Sequence, residues 1–130
     1  MITKEITLAG KPVTLSYCYA TEIAYKDLSG EDITAIILET AACVNAQPPR
    51  MPDAKRSIYL VLAAVMAYYQ SKDEDAPAPI KDTDLMNDAT PLELGTAIGA
   101  IITMRSQFYN IPNGEPEDKP AKGKGKKGKN

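Results

Sequence analysis

Histidine and tryptophan are both absent from this 130-residue chain. Without histidine the sequence lacks the commonest general base and the commonest metal ligand together. Only two cysteines occur, Cys18 and Cys43, each in an apolar neighbourhood that suits a buried thiol behaving as a small hydrophobe. Whether they pair is left open by their positions. Long hydrophobic runs are missing too: the longest, residues 58–69, is twelve residues, short of the ~20 that a membrane helix needs. Residues 1–15 alternate apolar and polar side chains and do not form the continuous apolar stretch of a signal peptide. The expectation is a soluble, cytoplasmic protein.

Charge is scarce in one sense and divided in another. The overall net charge is -2, but residues 1–110 carry nine Lys/Arg against fourteen Asp/Glu, a net of -5. The last twenty residues carry six lysines against three acids, a net of +3. An acidic body is therefore joined to a basic tail. A chain of this length fits one domain, burying roughly two-thirds of its unfolded surface, without requiring a disulfide or a metal.

The first residues read as a hairpin. Ile2, Lys4, Ile6 and Leu8 share one strand face, and Ala9-Gly10-Lys11-Pro12 supplies turn chemistry before Val13-Thr14-Leu15-Ser16-Tyr17 resumes the alternation. Lys4 breaks the apolar set, so that face is expected to be only partly covered. Two strands alone are marginal in water, so the hairpin must pack on helices.

Helical signals follow. Thr21 is placed to cap a short helix through Ile23, Ala24, Tyr25 and Leu28 that Gly30 ends. Ser29 with Asp32 reads as a capping-box variant opening a second helix over residues 30–45, with Ile33, Ile36, Ile37, Thr40, Ala41 and Val44 as its apolar stripe. Prolines 48, 49 and 52 interrupt it. Asp53 then caps a central helix to about residue 71, apolar on every face over residues 58–69, as expected of the element at the middle of a bundle. Residues 83–88 allow one short helical turn. Thr90-Pro91-Leu92-Glu93 is a strong helix start, with Thr90 as cap, Pro91 at the first position and Glu93 closing the box. That helix should run to about residue 109. The predicted fold is mainly α: a β-hairpin packed on a small bundle of about four helices, in a domain of residues 1–110. Residues 111–130, nearly devoid of apolar side chains, form a tail expected to be disordered.

Candidates for chemistry fall away one by one. Glu31-Asp32 sits at a helix start, where acids favour the dipole. Asp73-Glu74-Asp75 is a charged loop, and Asp82, Asp84 and Asp88 lack the glycine and terminal glutamate of a calcium loop. No metal or other cofactor is expected. Gly95 and Gly99 lie inside a helix, where they read as a small-residue face for close helix approach and not as a phosphate loop. Cys18, Cys43 and Ser106 have no histidine to activate them, so no catalytic residue is assigned. The lysines between 119 and 129 could neutralise nucleic-acid phosphates. The acidic body and the lack of interleaved aromatics or arginines favour a merely solubilising tail. A small nucleic-acid-associated or regulatory protein is the alternative reading.

Seven tyrosines against one phenylalanine supply rings that suit surfaces alternately wet and covered. The central helix is apolar all round, yet few elements are available to wrap it. Leftover apolar surface is therefore expected around Met66, Tyr69 and Phe108, giving weak, concentration-dependent homo-oligomers and a partner-binding patch.

In layout the chain resembles the tail assembly chaperones of long-tailed bacteriophages and prophages. The matching features are Ile6-Thr7-Leu8-Ala9-Gly10-Lys11-Pro12-Val13-Thr14-Leu15 as the hairpin, the short helix over residues 19–28, the capped second helix, the apolar central helix, and Ala89-Thr90-Pro91-Leu92-Glu93-Leu94 introducing the last. The resemblance covers residues 1–110 and rests on layout and apolar pattern. It implies a helical adaptor in the bacterial host's cytoplasm that binds the tape-measure protein, keeps its apolar helices soluble and recruits tail-tube subunits. Self-association into rings or spirals and a longer frameshifted form are further implications. The Lys/Gly tail is not part of the resemblance.

Overall fold

The structure is a computed structural model that describes residues 1–110 except Glu74 and Ala76. The expected disorder of residues 111–130 lies outside the described residues. Strands β1 (Ile2–Leu8) and β2 (Lys11–Tyr17) form an antiparallel hairpin, followed by α1 (Tyr19–Ser29), α2 (Ile33–Val44), α3 (Ala54–Lys72), α4 (Asp82–Asp88) and α5 (Pro91–Phe108).

The register, Ile2 opposite Tyr17 through Leu8 opposite Lys11, puts Ile2, Lys4, Ile6 and Leu8 on one face as expected, with Lys4 exposed. Ala9 and Gly10 close the turn with φ of 50° and 78°. Two consecutive positive φ values give the turn whose twist matches the strands. Glycine accepts that conformation freely, but alanine does so at some strain. Glu93 braces the strained position: its Oε1 accepts from the Ala9 amide at 3.1 Å and from the Thr90 amide at 3.0 Å, tying the turn to the start of α5. Glu93 is held below its ordinary carboxylate pKa, chiefly by the Thr90 amide and then by that of Ala9.

A two-residue turn makes Thr3, Glu5 and Thr7 of β1, and Thr14 and Ser16 of β2, the positions whose backbone groups point away from the partner strand. On β2 two of these groups are taken up. The Thr14 amide donates to Tyr69 Oη at 3.2 Å, and Thr21 Oγ1 donates to the Ser16 carbonyl at 3.0 Å. On β1 the corresponding positions are exposed, with Lys4 and Glu5 supplying the charge that discourages edge pairing.

Helix α3 is the middle of the molecule. Residues 60–65 are buried without a gap, as are Ser57, Ile58 and Ala67, so the helix is enclosed on all sides. The hairpin face (Leu8, Val13, Leu15, Tyr17), Tyr25 of α1, Ile33 and Ile36 of α2, Ile80, Leu85 of α4, and Ala97, Ile98, Ile101 and Met104 of α5 share one core with it. Glu31, in the α1–α2 connection, takes the phenol of Tyr25 and, at 2.9 Å, Nε of Arg56 on α3. The two donors, Tyr25 first, pull its pKa below the usual value.

Several expectations about local structure are corrected. Helix α1 starts two residues before Thr21, capped at Cys18; Thr21 sits in its first turn, where Oγ1 accepts from the Cys18 amide at 3.2 Å. Gly30 ends α1 at φ 81° and does not open α2, whose cap is Asp32 accepting from the Thr34 amide at 2.9 Å. The buried stripe of α2 is Ile33, Ile36, Thr40 and Cys43, and Ala41 and Val44 are exposed. The single turn expected at residues 83–88 is a seven-residue helix anchored by Leu85. No helix of the chain approaches Gly95 or Gly99: both are exposed, and a Cβ on either would meet nothing within 4 Å.

Candidate protein-binding surface

At the open end of the hairpin β2 runs into α1, and α5 arrives with its last turn. Tyr17, Tyr19, Phe108 and Tyr109 gather there. Phe108 lies 5.6 Å from Tyr17, 5.1 Å from Tyr19 and 5.0 Å from Tyr109 between ring centroids, the last two edge-on. Edge-to-face pairs at such spacing are favoured by the ring quadrupoles. Beneath them Glu22 Oε2 accepts from Tyr17 Oη at 2.7 Å and also from the Tyr109 hydroxyl. Burial first, then the Glu22 bond, pushes the Tyr17 phenol far up; the Glu22 bond is the main cause that takes Tyr109 to about 12.

Large apolar side chains are also exposed on α1 and α2. On α1 Tyr19 and Ile23 are one helical turn apart and keep 64% and 62% of their surface exposed. On α2 Leu38, opposite the buried stripe, keeps 65% exposed, and Val44, the last residue of the helix, keeps 64%. The opposite sides of both helices are in the core, through Tyr25 on α1 and through Ile33 and Ile36 on α2.

Where α1, the start of α2 and the end of α5 meet lies an open cleft of about 190 Å³. Glu22 and Lys26 of α1, Asp32 and Thr34 at the start of α2, and Arg105 and Tyr109 from the end of α5 line it. The Arg105 guanidinium sits 5.4 Å from the centroid of the Tyr109 ring. Arg105 Nε is buried without a hydrogen-bond partner, a state shared among the described residues only by Ser57 Oγ.

The sequence singled out Met66, Tyr69 and Phe108. All are half-buried against the core. Phe108 belongs to the aromatic corner. Tyr69 is engaged elsewhere, its hydroxyl on Thr14 and its ring 4.9 Å from Tyr68, while Met66 packs against the core on α3. The outward side chains were missed because apolar helical spacing was assigned to the core. A signal was present: α2 has one charged residue, Glu39, among twelve, more apolar surface than a single buried stripe uses.

Cys18 is partly buried and Cys43 fully buried, and both are free thiols. Burial, and then Glu39, raises the Cys43 pKa. Among the described residues no three His, Cys, Asp or Glu side chains are grouped to hold a metal, and no helix is long and apolar enough to cross a membrane. The chain matches no protein family, and no curated protein or solved structure matches it either.

Proposed function

We propose that this protein is a non-enzymatic adaptor that binds another protein through the exposed apolar side chains of α1 and α2. The observation that carries this reading is the outward placement of Ile23 and Leu38 on helices whose inner faces are already occupied, with Val44 left exposed at the end of α2. Large side chains held in water by a well-packed scaffold gain by being covered, and rimmed apolar surface of this sort marks interaction sites. Tyrosine and arginine beside these side chains are the residue types that dominate binding energy at interfaces.

Within that class, a tail assembly chaperone of a phage or prophage fits the sequence layout. A tape-measure protein is a long helical client whose apolar stripes need cover before assembly, and helix against helix is the docking mode that exposed apolar side chains on α1 and α2 offer. Tail-tube subunits would be recruited to the same complex, in the bacterial cytoplasm. Weak self-association follows from the same surface. Co-expression with a tape-measure protein from the same genome tests the reading: the client stays in solution and co-purifies with this chain, whereas an insoluble client that fails to co-purify overturns it. Nucleic-acid binding, the alternative, rests on the lysines beyond residue 118, outside the described residues. It requires retention of DNA or RNA that falls steeply with salt and is lost on deleting residues 117–130.

A further inference from the structure

We draw no further inference here: the strongest candidate, the uncharged outer face of α5 along Leu92, Gly95, Thr96, Gly99 and Thr103, carries nothing because nothing in the structure shows what covers it.

Discussion

The hydroxyl of Tyr69 accepts the backbone amide of Thr14 at 3.2 Å, so a side chain near the end of the central helix completes the edge of a hairpin fifty-five residues away. Replacing Tyr69 by Phe keeps the ring and strands the amide. Leaving one such donor unsatisfied costs about 1–3 kcal/mol when it is shielded from water. Chemical denaturation of Tyr69→Phe is expected to show that loss with an unchanged slope. An unchanged midpoint would mean that the amide finds water instead.

Gly95 and Gly99 lie on the exposed side of α5 with open space where a Cβ would stand. Each Gly→Ala substitution there should stabilise the chain by about 0.8–1.0 kcal/mol, the intrinsic helix-propensity difference. Thermal melts of the single and double variants check this. Destabilisation would show that another element covers that face.

Acid should loosen the join between α1 and α3. Glu31 titrates below its ordinary value because Tyr25, and then Arg56, donate to its carboxylate. A depressed folded-state pKa contributes stability that is complete above the unfolded value of about 4.3 and is lost as pH falls through the folded pKa. Glu31→Gln is therefore less stable than the parent near neutral pH, and the difference shrinks toward about pH 3. Melting curves of the pair at both pH values decide it; a constant gap would place the acid sensitivity elsewhere, with Asp32 and Glu93 the next carboxylates to examine.

Much of the architecture could be read from residue order. Alternation in the first seventeen residues, the Thr90-Pro91-Leu92-Glu93 start and the unbroken apolar centre of α3 each demand one local structure, and each appears where expected. Leu62, in that centre, is buried, so Leu62→Asp places an unpaired charge in the core and should unfold the domain. Cap positions were less legible because Thr21 and Ser29 have the right side chains but bond elsewhere: Thr21 to the Ser16 carbonyl, Ser29 to that of Tyr25 at 2.7 Å. The functional surface was least legible. Periodicity marks an apolar face but not which way it turns, and only the packing of α2 on α1 and α3 reveals that Leu38 points outward. The cleft joins residues eighty-three positions apart, Glu22 and Arg105, and no local pattern announces such a meeting.

Self-association should also follow from the exposed apolar side chains. Sedimentation over a hundredfold concentration range is expected to show a weak, rising average mass that Leu38→Ser with Val44→Ser lowers. If replacing Tyr69 and Phe108 by serine lowers it instead, without loss of fold, then the half-buried rings form the contact surface.

The central claim is that Ile23, Leu38 and Val44 hold a helical client, and the measurement that meets it most directly is client capture by a surface variant. A triple variant carrying Ile23→Ser, Leu38→Ser and Val44→Ser is co-expressed with the tape-measure protein beside the parent chain, and its circular dichroism and melting are recorded alone. The account predicts a folded variant with a melting temperature like the parent's that leaves the client insoluble, where the parent keeps it in solution. A folded variant that captures the client as fully as the parent would contradict it.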